Sequence, residues 1–190
     1  MDAAGCIFVK WAQEEDMNTT IREMEKRRSI RKFKSDAVPK ELLDEIIEAG
    51  LYAASGMGKQ AAAIVAVTDK ELRDRISEDN RKIGGWDEGF DPFYGAPVIL
   101  IVLGNKAVPT SIYDGSLVMG NLMLAAHSEG LGSIWIHRAK EEFETDYYKD
   151  LLKKLGLEGE WEGIGHCAVG YIDGEAPKAA PRKEGRVYWA

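Results

Sequence analysis

The chain has 190 residues, 45% hydrophobic and 30% charged, with a formal net charge of −7. That size and composition fit one domain with a single sizeable core, and the acidic balance argues against a nucleic-acid or membrane-surface binder. Two cysteines, Cys6 and Cys167, and three histidines without ligand spacing make neither a disulfide framework nor a metal site, so the chain reads as reduced, intracellular and cytoplasmic.

No apolar run approaches the length of a membrane span. Residues 1–16 lack a basic start and a long apolar core and do not read as a signal peptide. They are taken as an extension of unknown role ahead of a single domain over 17–190. Helical spacing begins at Asn18–Arg28, with Ile21 and Met24 on one side and charges elsewhere. There follows a basic cluster, Lys26-Arg27-Arg28-Ser29-Ile30-Arg31-Lys32-Phe33. Between Arg22 and Lys34 seven Lys or Arg face only two Glu, against the sign of the whole chain. Arg presents a rigid fork of donors to phosphate oxygens, and Ser adds a neutral donor at short reach. The cluster therefore suits a small phosphorylated ligand, or else it is a solvated basic face beside acidic neighbours. A second basic group, Pro181-Arg182-Lys183, lies near the C-terminus, where a fold can bring it to the first.

Pro39–Ala54 reads as a helix opened by a proline, with Leu42, Leu43, Ile46, Ile47 and Leu51 in one stripe. Ala62–Val67 and Pro97–Gly104 read as strands. Between them Lys82–Gly95 is the least regular stretch, Gly-rich and aromatic, and suits either a lid over a ligand or a connecting loop whose aromatics pack down. Tyr113–Glu129 has almost no polar face, which marks a helix buried in its own domain or in a subunit interface. Gly130 supplies its stop, within Gly130-Leu131-Gly132. Ser133–Ile136 and His166–Ile172 are further short strands, and Glu141–Leu155 reads as one charged amphipathic helix. His166 and Cys167 are read as packing residues, because neighbours in a strand point to opposite faces and cannot form a dyad. Helices alternating with strands give an α/β or α+β sandwich rather than a helical bundle.

Five segments, in order, carry a resemblance. They are Arg27–Phe33; Ala53-Ala54-Ser55-Gly56-Met57-Gly58-Lys59-Gln60; Gly95–Leu100; Gly130–Ile136; and Val169-Gly170-Tyr171 leading to Pro177-Lys178 and Pro181-Arg182-Lys183. Each is weak alone, and their joint order and spacing are specific. Across residues 20–190 the chain resembles the nitroreductase family of FMN-dependent NAD(P)H oxidoreductases.

The resemblance implies an α+β three-layer sandwich, with a mainly antiparallel central sheet flanked by helices and a buried central helix at a dimer interface. It implies a homodimer with FMN held between the chains, and NADH or NADPH as electron donor. Hydride would pass through the flavin, by ping-pong, to an electron-poor acceptor such as a nitroaromatic or quinone. Arg27, Arg28, Ser29 and Arg31 would hold the FMN phosphate and ribityl chain, with Arg182 and Lys183 closing over the phosphate. Ser55, Gly56, Met57 and Gly58 of the other chain would meet the flavin ring, with Gln60 at its pyrimidine edge. Ile136 and His137 would border its reactive nitrogen. The flavin carries the chemistry, so no catalytic side chain is assigned.

The chain also departs from the family's pattern. Many members carry Asn at the Gly58 position, Pro-Trp at Ala61-Ala62, and an acidic or Gly-rich pair at His137-Arg138. The short segment before Pro97 implies a small lid. The departures leave room for another reading, a flavin-binding carrier or sensor without NAD(P)H turnover.

Overall fold

The computed structural model describes residues 18–190. The expected extension over 1–16, with Cys6, lies outside the described residues. Helix α1 (Thr19–Lys26) starts where the Asn18 side chain accepts hydrogen bonds from the Thr20 and Ile21 N–H groups. Helix α2 (Lys40–Leu51) begins just after Pro39, which occupies the cap, and it ends at Leu51 rather than Ala54. Four strands follow, β1 (Ala62–Val67), β2 (Val98–Asn105), β3 (Gly132–Ile136) and β4 (Trp161–Gly170), all antiparallel in the spatial order β1-β2-β4-β3.

β2 is buried from Val98 to Gly104, so the two-residue period of a strand sorts its side chains between two cores. Val98, Leu100 and Val102 face α2 and α4 (Ser111–Ser128), where Leu43, Ile46, Met119 and Leu122 pack. Ile99, Ile101 and Leu103 face the opposite core, built with Ile76, Phe143, Tyr148 and Leu152. These come from α3 (Lys70–Gly84), α5 (Ala139–Phe143) and α6 (Asp146–Lys154). The result is the expected three-layer α+β sandwich.

Two glycines let α4 sit close. A Cβ on Gly50 of α2 would lie 2.5 Å from Leu122 Cδ2, and one on Gly115 would lie 2.7 Å from Ile164 Cγ1. The apolar girdle of α4 is half used by this packing. Ile112, Tyr113 and Leu117 remain 48%, 73% and 50% exposed on the other side. Ile21 and Met24 of α1, Leu51 at the end of α2 and Tyr52 after it are exposed too. Among the described residues no helix is long and apolar enough to cross a membrane.

Two expectations need correction. The segment between β1 and β2 is largely the fifteen-residue helix α3, capped by Asp69 and ended by Gly85 in the left-handed region; no helix was expected there. Glu141–Leu155 is two helices, broken where Thr145 turns extended and its hydroxyl donates to the Glu142 carbonyl at 2.8 Å.

Candidate functional site

The basic segment leaves α1 and runs beside the edge strand β3. Ser29 pairs with Ser133, and the Ile30 N–H donates to the Ser133 carbonyl at 3.0 Å. Phe33 then pairs with Ile172. Gly132 stands at this crossing, where a Cβ would lie 2.9 Å from both Ile30 Cγ1 and Ile172 Cγ1. The expected helix stop also holds, because Gly130 is left-handed and the Leu131 N–H returns to the Ala126 carbonyl at 2.8 Å.

The four donors of this segment are placed differently. Arg27 is half-buried, and its Nη1 is fully buried with no hydrogen-bond partner among the described residues. Burial pushes the neighbouring Cys167 thiol up to about 12, and the Arg27 charge pulls against that rise. A buried, unpaired guanidinium nitrogen is a donor in want of an acceptor. Arg28 is committed to its own helix, donating from Nη1 to the carbonyls of Glu25 at 2.5 Å and Arg27 at 2.7 Å. These are carbonyls that α1 leaves free at its end. Ser29 and Arg31 line a groove of about 310 Å³ whose other wall is Ile172, Asp173, Glu175 and Pro177. Within one chain the fold thus brings the start of the C-terminal tail to the basic segment. Arg182 and Lys183 lie farther along it and are exposed, the Arg182 guanidinium donating to the Ala180 carbonyl.

At the far end of β3 a second cleft, of about 550 Å³, opens between Trp135, His137 and Arg138 on one side and Ile112, Ser116 and Ile164 on the other. The Trp135 and His137 rings lie 5.7 Å apart, and the indole N–H is buried with no partner among the described residues. Ile136 points the other way, its side chain buried in the α3 core, so only its backbone can border a ligand here. Arg138 has φ +83°, a backbone conformation that favours glycine. The resemblance drawn from the sequence expects an acidic or Gly-rich pair where His137-Arg138 stands. Ion pairs Arg138–Glu141 at 3.0 Å and Lys140–Glu162 at 2.9 Å rim the cleft.

The Ser55–Gln60 turn forms a third piece. The Gln60 N–H donates to Ser55 Oγ at 3.0 Å, and Met57, Gly58 and Gln60 all have positive φ. Gly56 is pinned by its N–H to Asp114 Oδ1 at 3.0 Å, and a Cβ there would lie 2.4 Å from Thr110 Oγ1. Gly56 is therefore small to fit against Thr110, while Met57 and Gly58 form an exposed tip. Asp114, buried at the start of α4, went unnoticed in the sequence.

Beneath the cleft lies a buried polar cluster. Asn80 Nδ2 donates to the His137 carbonyl and to Glu142 Oε1, both at 2.8 Å. Glu142 Oε2 lies 2.7 Å from His166 Nε2, with both side chains fully buried. Cys167 packs on the opposite face, as expected. His166 is more than the packing residue expected, because it is the partner of this carboxylate.

The Lys82–Gly95 stretch resolves toward a packed connection. Phe93 is fully buried, and Trp86, Phe90 and Tyr94 form a chain of ring contacts at 5.5 and 5.9 Å. Asp91 ties the turn together, accepting from Arg73, from Ser77 Oγ at 2.6 Å and from the Gly95 N–H at 2.7 Å. Burial pushes the Asp91 carboxyl up, and the bonds from Arg73, Ser77 and Gly95 outweigh it, leaving it below the usual 3.8.

Comparison with known proteins agrees with this fold. The model of the nitroreductase family matches residues 24–171. An FMN reductase (NAD(P)H) of Bacillus subtilis is 30% identical over 140 residues, covering 62% of this chain and 53% of that protein. An iodotyrosine deiodinase of Thermotoga neapolitana is 29% identical over 177 residues, covering 84% and 91%. The crystal structure of an FMN-bound nitroreductase from Bacteroides fragilis superposes with a TM-score of 0.81 at 27% identity, covering 92% of this chain and all of that one. The chain spans 53% of the Bacillus protein and 59% of a related Methanothermobacter thermautotrophicus protein, little more than half the length of these curated relatives.

Proposed function

The chain belongs to the nitroreductase family, and on that premise we propose that it is an FMN-dependent oxidoreductase acting as a homodimer. It would take hydride from NADH or NADPH and deliver it to an electron-poor acceptor such as a nitroaromatic or quinone. The observation that carries this reading is the buried Arg27 guanidinium nitrogen, without a partner among the described residues, on a segment with Ser29 and Arg31. In a chain of net charge −7, this is a local donor set for a dianionic phosphate.

The donor set and the available space fit the cofactor. FMN, when bound, supplies the hydride chemistry. Arg27, Ser29 and Arg31 hold the phosphate and ribityl chain, with Arg28 added where it can leave its helix cap. Arg182 and Lys183 join them from the tail. Trp135 and His137 wall the cleft and exclude water from one side of it. Arg31, or Lys59, supplies positive charge at the pyrimidine end, where charge gathers on reduction. No side-chain nucleophile is required, because the hard chemistry belongs to the cofactor. Donor and acceptor use the same open face in turn.

The exposed side of α4, with Ile112, Tyr113 and Leu117, supports the homodimer, since a long apolar helix face seldom stays in water. In this reading a second copy contributes Ser55, Gly56, Met57 and Gly58 to the ring and Gln60 to its edge. The Gly58 position has open space around its missing Cβ and φ +64°, so the residue offers backbone in place of an Asn side chain.

The test is binding. Purified protein titrated with FMN should quench flavin fluorescence at one flavin per chain. Riboflavin, lacking the phosphate, should bind at least about tenfold more weakly, the equivalent of one lost charged hydrogen bond. Equal affinity for the two would overturn the phosphate placement.

A further inference from the structure

Asn80 has no exposed surface and sits in α3, on the side of the sheet away from α4. Its amide is held at two points, the His137 carbonyl and Glu142 Oε1, each at 2.8 Å. The other Glu142 oxygen, Oε2, lies 2.7 Å from His166 Nε2. These contacts join α3, α5 and β4 to one peptide group, the one between His137 and Arg138.

The direction of that peptide matters. The described peptides are all trans, and in a trans peptide the carbonyl and the following N–H point in opposite directions. Drawing the His137 carbonyl toward α3 therefore turns the Arg138 N–H away from α3, toward the cleft lined by Trp135, His137 and Ser116. That N–H has no hydrogen-bond partner among the described residues. Arg138 meanwhile keeps φ +83°, a conformation a residue with a Cβ adopts only when its surroundings impose it. A fixed carbonyl, a free N–H aimed at a cavity and a strained backbone coincide in one peptide.

We propose that Asn80 is a positioning residue for the flavin site. It clamps the His137–Arg138 peptide so that the Arg138 N–H is presented as a preorganised donor to the flavin edge in the cleft. A donor fixed before reduction draws electron density toward that edge and favours the reduced ring, without reorganisation at that moment. Glu142 and His166 hold Asn80 in the rotamer that does this. The inference rests on the FMN reading above.

The test compares the FMN-loaded wild type with Asn80→Ala and with Tyr148→Phe. The second variant removes the Tyr148 hydroxyl bond to Asp79 of α3, the helix that carries Asn80, at 3.0 Å, without touching His137. Losing the clamp should cost about tenfold in the preference for reduced over oxidised FMN, read as a midpoint potential about 30 mV lower. Tyr148→Phe should lower the melting temperature and leave the potential where it was. In isotope-labelled wild type, the Arg138 amide resonance should shift on adding FMN, and in Asn80→Ala that shift should vanish.

An Asn80→Ala protein with the potential of wild type overturns the proposal, and so does an Arg138 amide in wild type that ignores FMN. If Asn80→Ala does not fold, the wild-type amide resonance decides alone. A wild type that binds no FMN at all overturns the FMN reading and this proposal with it. FMN bound without an amide shift overturns only the role of Asn80.

Discussion

Asp114 and Gly56, separated by almost sixty residues in sequence, meet at 3.0 Å, where the Gly56 N–H donates to one carboxylate oxygen. The other oxygen accepts from the Thr110 hydroxyl, also at 3.0 Å. One buried carboxylate thereby fixes the turn that carries Ser55, Met57 and Gly58 to the start of α4. Asp114→Ala leaves the Gly56 N–H and the Thr110 hydroxyl without that acceptor. It should cost about 1–3 kcal/mol of stability and weaken FMN binding, while Asp114→Asn, which keeps an acceptor oxygen, should cost less. Thermal melts and flavin titration of the two variants check this.

Gly56→Ala probes the same junction sterically. Its Cβ would stand 2.4 Å from Thr110 Oγ1 and 2.9 Å from Thr110 Cγ2. Overpacking of this kind costs about 1–3 kcal/mol. Combining it with Thr110→Ala removes both close atoms and should recover part of the loss, so the double variant should be more stable than the sum of the singles predicts.

The phosphate anchor is tested by changing Arg27 and Arg182 together to Ala. Arg182 is exposed and the Arg27 guanidinium has no side-chain hydrogen bond among the described residues, so neither change breaks a hydrogen bond between side chains. The double variant should remain a folded dimer by circular dichroism and light scattering and lose its FMN. Full flavin occupancy would place the phosphate elsewhere.

The apolar face of α4 makes a prediction about assembly. Leu117 is half exposed on the single chain. Leu117→Asp puts a charge where the second copy is expected and should yield a folded monomer in light scattering. Because the Ser55–Gln60 turn is expected to serve the other copy's flavin, that monomer should also release FMN.

Acid stability follows from Asp91. Its carboxyl titrates below the usual 3.8 in the fold, so the ionised form is the one the fold favours. The stability it contributes is complete above about pH 4 and drains away as pH falls through the lower folded value. Asp91→Asn should therefore lose stability at neutral pH and show a flatter acid limb in urea melts recorded between pH 6 and 2.

Much of this architecture can be read in the residues themselves. The unbroken apolar run of β2 and the apolar girdle of α4 announce a buried sheet with a helix laid on it, and the basic run around Ser29 announces an anion site. α3 escaped because its buried face is Arg73, Ile76, Ser77 and Asn80, polar at three of four positions, so hydrophobic periodicity had little to detect. The same residues hold Asp91 and the His137 carbonyl, contacts spanning 18 and 57 residues that no local pattern encodes. Glu142 and His166 were hidden likewise. A Glu in a charged helix reads as solvated and a His in an apolar strand as packed, until the fold sets them 2.7 Å apart. The loop aromatics were ambiguous for a related reason, since the Arg73 and Ser77 contacts to Asp91 that hold the turn above the buried Phe93 span 18 and 14 residues.

The most direct test is an anaerobic titration of the FMN-loaded protein with NADH and then NADPH, following the visible flavin spectrum. The yellow band should bleach with at least one of the two nucleotides and return when a quinone or nitroaromatic is added. Bound flavin that neither nucleotide bleaches would contradict the oxidoreductase and point to a flavin carrier or sensor.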